Sequence, residues 1–153
     1  GFGREAQVPG LLDAYDIAII DTPARLAKVS RSALMLADMA ILPVSAGGIE
    51  SWALAETLEV VEEASIVRPE LRARLLVNRQ QRTGLARATA KALESCGVPV
   101  LYSGFGFRVA YQAAITAGLG PTSWEPEGKA AAEVSALADE ITEILTHGQA
   151  VNA

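Results

Sequence analysis

The sequence predicts an α/β fold of three layers, in which a mostly parallel sheet is covered by helices on both faces. Short apolar runs alternate with longer stretches of helical periodicity, which is typical of β-α-β units joined by right-handed crossovers. The first run, Ile17-Ala18-Ile19-Ile20, is apolar throughout, as in a strand that is buried on both faces. The chain has 153 residues, of which 50% are hydrophobic and only 5% aromatic. These values indicate one domain with an aliphatic core.

The apolar runs and the helical periodicity define nine elements in the order β-α-β-α-β-α-β-α-α. Strands are predicted over residues 17–20, 39–44, 73–77 and 98–102. Helices are predicted over residues 28–37, 51–66, 83–96, 108–117 and 128–145. Gly97 is expected to close one of these helices at the C′ position, and Gly118 to end another. We expect a single domain over residues 1–153, with a core at about 12–145 and a tail at 146–153.

Composition excludes several classes of protein. The net charge of −5 is not that of a highly basic nucleic-acid binder. Cys96 is the only cysteine, so no internal disulfide or cysteine-based metal site is expected. His147 is the only histidine and lies in the tail, which argues against a Ser-His-Asp triad or a histidine-ligated metal. No apolar run reaches the roughly 20 residues that span a bilayer, so we expect a cytoplasmic protein without membrane partners.

Candidate site residues follow the predicted strands, because ligands of parallel α/β sheets bind beyond the carboxyl ends of the strands. Asp21 follows the first strand and could hold Mg²⁺ through water, or only cap the next segment. Asn78 follows the third strand, where its amide could read a purine edge or satisfy a turn. Arg108 ends a loop with two glycines and could meet a phosphate or an acidic partner, unless the loop is merely flexible.

Basic residues are concentrated in one stretch that contains a single acidic residue, Glu70. This stretch could be a DNA-facing patch or an ordinary solvated face. Its basic members are Arg68, Arg72, Arg74, Arg79, Arg82, Arg87 and Lys91.

Four segments together resemble the ParA/MinD family of P-loop ATPases, and within it the small plasmid-partition ATPases. They are YDIAIIDTPA (15–24), ADMAILPVSAGGIESWALAETLEVVEEA (37–64), RPELRARLLVNRQQRTG (68–84) and GVPVLYSGFGFRVAYQAAITAGLGPTSWEPEGKAAAEVSALADEI (97–141). The resemblance extends from about Leu12 to Ile144. It implies an ATPase that uses ATP and Mg²⁺, forms a nucleotide-dependent homodimer, binds DNA non-specifically and responds to a ParB-like centromere-binding adaptor.

The resemblance also implies roles for individual residues in plasmid or chromosome segregation, in a cytoplasmic protein that could associate with the nucleoid. Asp21 would be the Walker B aspartate, with Thr22 and Pro23 in the adjoining switch. Asn78 would read adenine, and Arg108 would start a helix near the nucleotide. Candidate DNA contacts are Arg79, Arg82, Arg87 and Lys91.

One feature of the family is missing from the sequence. No loop like GKGGxGKT occurs, and neither Gly-Lys-Thr nor Gly-Lys-Ser is present. Such a loop supplies the amides, the lysine and the hydroxyl that hold phosphates and Mg²⁺. We therefore expect an incomplete P-loop fold without catalytic residues, in which the chain alone neither binds ATP tightly nor hydrolyses it. The alternative is a non-enzymatic binding or regulatory module that has lost the nucleotide.

The missing loop also affects the predicted sheet. In the family, the strand before this loop lies between the strands that correspond to 17–20 and 39–44. We expect these two strands to close the gap by pairing directly, and the protein to be poorly soluble, because apolar strand edges promote aggregation.

Overall fold

The computed structural model describes residues 15–22, 27–45, 51–80, 93 and 96–147. Within them lie two strands and five helices in α-β-α-β-α-α-α order. The elements are α1 (Ala27–Leu34), β1 (Met39–Ser45), α2 (Ser51–Val67), β2 (Arg72–Asn78), α3 (Val109–Thr116), α4 (Pro121–Trp124) and α5 (Lys129–His147). Six of these seven elements overlap predicted segments, and the short α4 was not predicted. No helix in the described ranges is both long enough and apolar enough to cross a bilayer.

The two strands are parallel, and their register runs from Met39 opposite Arg72 to Ser45 opposite Asn78. Each face of this sheet is covered by helices. On one face, Leu34 of α1, Val61 and Ala64 of α2, Ala40 of β1 and Leu71 form a buried cluster. The helices α1 and α2 on this face therefore form one of the two helical layers of the predicted three-layer fold.

The opposite face of the sheet is covered by α5. Leu137 of α5 packs with Leu76 and Leu101, and Met39 and Ile41 of β1 lie against this cluster. Since successive strand residues point to opposite faces, a strand that contributes to both clusters must be apolar throughout. The prediction of a parallel sheet between two helical layers is confirmed.

The carboxyl end of α5 is fixed to the beginning of β2. Arg72 Nη1 donates hydrogen bonds to the carbonyl oxygens of Ile144 and Leu145, at 2.9 and 3.1 Å. Carbonyls in the last turn of a helix have no partner within the helix, and a cation there also compensates the helix dipole. Arg72 thus holds the last helix in place across the sheet.

Both glycines predicted to end helices are in the left-handed region, with φ of 74° at Gly97 and 70° at Gly118. Of the predicted helix over 83–96, only Leu93 and Cys96 are described; Leu93 is buried and helical, and the rest lies outside the described residues. The tail is helical as far as His147, so α5 is longer than predicted.

The fourth predicted strand, over 98–102, lies where expected but is not a full strand. Leu75 of β2 donates to the Pro99 carbonyl at 2.9 Å and accepts from the Leu101 amide at 2.8 Å, which forms one parallel bridge with Val100. Pro99 has no N–H, so the ladder cannot extend through it as a donor. At this edge the sheet therefore continues only as a single parallel bridge between Leu75 and Val100.

The prediction of a strand at residues 17–20 is wrong, and so is its direct pairing with β1. Residues 15–22 are described, but they form no strand, and among the described residues the sheet contains only β1 and β2. Ile17 is 59% exposed and Ile19 is 93% exposed. A strand needs a neighbour for its backbone groups, and among the described residues this segment has none. The side of β1 away from β2 likewise carries no strand in the described ranges.

Candidate functional site

The carboxyl end of β2 places Asn78 beside Ser45, the last residue of β1. The Asn78 side-chain oxygen accepts the backbone N–H of Arg79 at 2.8 Å. Arg79 itself has a φ of 55°, which is uncommon for a residue with a side chain. The side-chain carbonyl of Asn78 thus stabilises a sharp turn at the end of the strand. The side-chain NH₂ is the group that the edge of a base would meet.

A loop over residues 102–108 lies against this turn. The Gln80 amide donates to the Phe105 carbonyl at 2.8 Å, and the Phe107 amide donates back to the Gln80 carbonyl at 3.0 Å. Phe105 also donates to the Val77 carbonyl at 3.0 Å. These bonds continue the sheet beyond β2, so the loop is a paired extension of the strand and not the flexible loop that was one of the two alternatives.

Gly104 is needed for this close pairing. A Cβ atom at Gly104 would lie 2.7 Å from the carbonyl oxygen of Val77 and even closer to the side-chain amide of Gln80. Backbone oxygen cannot move away as a flexible side chain could. The two glycines of the loop therefore do not mark flexibility here; Gly104 allows the loop to reach β2.

Arg108 is held by Glu133 of α5. Its Nε and Nη2 both donate to Glu133 Oε1, and the Nε bond is 2.9 Å long. The other carboxylate oxygen accepts the Tyr111 hydroxyl at 2.8 Å and the Gly106 amide at 3.1 Å. One carboxylate therefore joins the end of the loop, the first turn of α3 and the last helix.

The protonation of this group follows from its contacts. Burial alone would raise the pKa of Glu133, but the hydrogen bonds from Arg108, Tyr111 and Gly106 outweigh burial and lower its pKa. The pKa of the Tyr111 phenol is raised, mainly by burial and to a smaller extent by the hydrogen bond to Glu133. The hydrogen bond to Glu133 raises the pKa of Arg108. At neutral pH the site is a carboxylate with one guanidinium and two neutral donors.

A second glutamate of α5 holds the beginning of the same loop. Glu140 accepts the backbone amides of Tyr102 and Ser103, both at 2.8 Å and each on a different carboxylate oxygen. Burial would raise its pKa, but these backbone hydrogen bonds lower it. Glu133 and Glu140 lie seven positions apart on one face of α5, and we refer to them as the glutamate clamp.

Sequence reasoning missed the glutamate clamp, although a signal was present. Glu133 and Glu140 flank Leu137, which is buried on the sheet side of α5. Acidic residues at i−4 and i+3 of a buried leucine lie at the edge of the buried face rather than opposite to it. That spacing indicates carboxylates with partners inside the protein.

Asp21 and Thr22 lie at the end of the described segment 15–22, and Pro23 lies outside the described residues. Asp21 is exposed, and Thr22 is partly buried. In the part of the chain that the structure describes, no group of three or more potential ligands could hold a metal ion. The structure joins the loop at 102–108 to the turn after Asn78 through hydrogen bonds. Asp21 is not part of this hydrogen-bonded group.

The arginines in the first part of the basic stretch form hydrogen bonds within the protein. Arg68 bonds to Glu70 at 2.6 Å and to the Met35 carbonyl at 2.8 Å. Arg72 holds the end of α5, and Arg74 Nη1 donates to the Ala73 carbonyl at 2.8 Å. These three arginines are therefore not a free DNA-facing row.

The candidate DNA contacts lie further along the stretch. Arg79 is exposed, with its guanidinium carbon 5.1 Å from the centre of the Phe107 ring, a cation–π geometry. Arg82, Arg87 and Lys91 lie outside the described residues. Of these four residues, the structure thus places Arg79 alone, next to the loop.

Comparison with known proteins bears on this arrangement. No protein-family model matches the chain. A curated relative, "Maintenance of carboxysome distribution protein A" of Halothiobacillus neapolitanus, is 31% identical over 133 residues, which cover 86% of this chain and 59% of the relative. The solved structure of the Pyrococcus furiosus cell division ATPase MinD is similar in fold, with a TM-score of 0.73 and 24% identity over 92% of this chain and 57% of that one. The chain is a relative of the ParA/MinD-type P-loop ATPases.

This relationship confirms the resemblance and the incomplete α/β P-loop fold. The chain spans 59% of the length of the curated relative and 57% of the MinD chain. MinD-like ATPases use ATP and Mg²⁺, and ParA/MinD relatives commonly dimerise and act with adaptors. The name of the relative concerns carboxysome distribution and not plasmid or chromosome segregation.

Proposed function

We propose that this chain is the base-binding portion of a ParA-type positioning ATPase, which acts through ATP-dependent dimerisation and non-specific DNA binding in the cytoplasm, on the nucleoid. The observation that carries the proposal is the joint position of Asn78 and the loop at 102–108. They meet at the carboxyl edge of a parallel sheet, where α/β proteins bind ligands. The glutamate clamp fixes the loop to α5 through hydrogen bonds, and such preorganisation reduces the entropy lost on binding.

The residues present fit the base and the hydrated Mg²⁺ of a bound nucleotide better than they fit its phosphates. Asn78 offers amide donors to a base, and Asp21 offers one exposed carboxylate for a hydrated Mg²⁺. The 153 residues contain no glycine- and lysine-rich loop for the phosphates. Because that loop supplies most of the electrostatic stabilisation in phosphoryl transfer, this chain by itself hydrolyses no ATP.

The cargo of the ATPase follows from two different observations. The plasmid-partition resemblance favours plasmid or chromosome DNA, with a ParB-like adaptor. The similarity to a carboxysome distribution protein favours a protein-shelled cargo with an adaptor of its own. The two proposals share nucleotide-dependent DNA binding and differ in the adaptor.

Base binding is tested by titrating the ¹⁵N-labelled chain with ATP and with GTP. Shifts of the amides at 78–80 and 103–107, larger with ATP, are expected because a carboxamide can read the adenine edge. Asn78→Ala should abolish the preference, while Ser45→Ala, next to it on β1, should keep it. Equal shifts with both nucleotides, or an unchanged Asn78→Ala variant, would contradict the proposal. Absence of any shift would favour the alternative, a non-enzymatic module that has lost the nucleotide.

Hydrolysis is tested in parallel with a phosphate-release assay in ATP and Mg²⁺. No release above the buffer control is expected. Turnover that persists after repurification and is lost in Asp21→Ala would show that the chain has a phosphate site of its own. Reading the coding DNA upstream of Gly1 for a Gly-Lys-Thr loop separates the two alternatives independently.

DNA binding is tested with the triple variant Arg79→Glu, Arg82→Glu and Arg87→Glu. Weak association that falls steeply with salt is expected for the unmodified chain, because each neutralised phosphate releases counterions. The triple variant should lose this association. Arg31→Glu, on helix α1 where Arg31 pairs with Glu63, serves as the control for reversal of a single charge outside the stretch. Unchanged binding in the triple variant would show that the basic stretch is an ordinary solvated face and not a DNA-binding surface.

A further inference from the structure

Arg79 lies directly after β2 and has an unusual backbone conformation. Among the described residues it is the one residue with a side chain in the left-handed region, with a φ of 55°. Residues other than glycine take this conformation at a cost in free energy, and they keep it only where neighbouring contacts impose it. Backbone strain of this kind concentrates at functional sites. The contacts that hold Arg79 therefore bear on the function of this edge of the sheet.

Contacts with the loop at 102–108 hold Arg79 in the left-handed conformation. The next residue is paired through both of its backbone groups, because the Gln80 amide donates to the Phe105 carbonyl at 2.8 Å and the Gln80 carbonyl accepts the Phe107 amide at 3.0 Å. The guanidinium carbon of Arg79 lies 5.1 Å from the centre of the Phe107 ring. Pairing thus fixes the backbone that follows Arg79, and the ring fixes its side chain by a cation–π contact.

The left-handed backbone directs the Arg79 N–H toward the side chain of Asn78. This N–H donates to Asn78 Oδ1 at 2.8 Å. Only the oxygen of the carboxamide can accept this hydrogen bond, because the NH₂ group is itself a donor. The bond therefore prevents the carboxamide from turning over, and it fixes which end of the carboxamide is oxygen.

We propose that Arg79 is a positioning residue that gives the site a preference for adenine over guanine, and that the Phe107 ring holds Arg79 in place for this role. The inference rests on the proposed binding of a base by Asn78. Adenine presents the donor N6–H beside the acceptor N7, and a carboxamide pairs with both, whereas guanine presents the two acceptors O6 and N7. With Oδ1 fixed by Arg79, its second lone pair accepts N6–H of adenine but would face O6 of guanine.

The side chain of Arg79 offers a competing explanation, because a guanidinium can contact a phosphate of the nucleotide directly. The two explanations make different demands on residue 79. Positioning requires a backbone N–H in the left-handed conformation, whereas direct contact requires the guanidinium. Substitutions that separate the backbone from the side chain therefore decide between them.

The test is NMR titration of the ¹⁵N-labelled chain with ATP and, separately, with GTP, which gives the ratio of the two Kd values. The unmodified chain should prefer ATP by about fivefold or more, as expected for one bidentate pair with a base. Arg79→Val should lose the preference, because a β-branched residue resists a positive φ. Arg79→Gly should retain it, because glycine takes a positive φ freely and still carries the N–H.

The role of Phe107 is tested by loss and rescue. Phe107→Leu should reduce the preference for ATP, because the ring no longer holds Arg79. The double variant Arg79→Gly with Phe107→Leu should recover the preference, since glycine needs no ring to keep a positive φ. Trp124→Leu removes another exposed ring, which lies on α4, and is the matched control that should leave the ratio unchanged.

The failure of this inference differs from the failure of the proposed function. A preference for ATP that survives in Arg79→Val, or that is lost equally in Arg79→Gly, would overturn the positioning role alone. An unmodified chain without any preference would refute the proposed function and the inference with it. Hydrogen exchange of the Arg79 amide, measured without nucleotide, gives a second readout. It should be slower in the unmodified chain than in Phe107→Leu, and equal exchange would overturn the role of the ring.

Discussion

Replacing Glu133 by Ala measures how much the glutamate clamp stabilises the protein. The variant leaves the Tyr111 hydroxyl and the Gly106 amide without the acceptor that lies 2.8 and 3.1 Å away. Each such hydrogen bond contributes about 1 kcal/mol net, so the two account for about 2 kcal/mol. The Arg108 pair is left out of this sum because solvent screens it. The free energy of unfolding should therefore fall by about 2 kcal/mol.

The assay is thermal unfolding followed by circular dichroism, with urea unfolding as a second method. For a chain of this size, a loss of about 2 kcal/mol corresponds to a Tm lower by about 4–8 °C. Asp139→Ala is the control, since Asp139 is exposed on the same helix and makes no hydrogen bond within the described residues. If Glu133→Ala lowers the Tm by no more than Asp139→Ala does, the carboxylate does not hold the loop and the reasoning fails.

Three further predictions concern the same loop. Both clamp carboxylates have pKa values lowered from 4.5, so the stability they contribute is present above about pH 4.5 and is lost as pH falls through the folded-state pKa. Urea unfolding between pH 7 and pH 3 should show a steeper loss for the unmodified chain than for a variant with both glutamates changed to Gln; parallel curves would contradict this. Glu140→Ala should speed hydrogen exchange at the Tyr102 amide, measured by NMR, while exchange in β1 stays unchanged; equal exchange in both proteins would remove the role of Glu140. Gly104→Ala should destabilise by about 1–3 kcal/mol because its Cβ meets the Val77 carbonyl, whereas Gly120→Ala, whose Cβ has only an atom at 3.9 Å nearby, should be neutral in urea unfolding.

The parts of the fold that follow from local pattern were predictable. Short apolar runs located β1 and β2, with Leu75, Leu76 and Val77 as the apolar part of β2, because strands between two helical layers need apolar side chains on both faces. Gly97 and Gly118 located helix ends, since few other residues take a positive φ readily. These features depend on residues close together in the sequence.

Features that depend on distant partners were not predictable in the same way. The run at Ile17–Ile20 is as apolar as β1, yet it forms no strand in the described structure, because pairing requires a neighbouring strand that the pattern does not supply. Glu133 resembles any solvated helix residue until α5 is packed on the sheet. Asn78 was placed correctly at a strand end, but its bond to Arg79 depends on a left-handed turn that the sequence does not reveal.

The contacts of α5 also bear on the order in which the chain folds. The glutamate clamp joins residues 22 to 38 positions apart, whereas Arg72 reaches carbonyls 72 and 73 positions away. Closing a longer loop costs more chain entropy, and contacts distant in sequence slow folding. We expect residues 101–140 to assemble first, with the end of α5 docking onto β2 late. Substitutions in the clamp would then slow refolding, while Arg72→Ala would mainly speed unfolding.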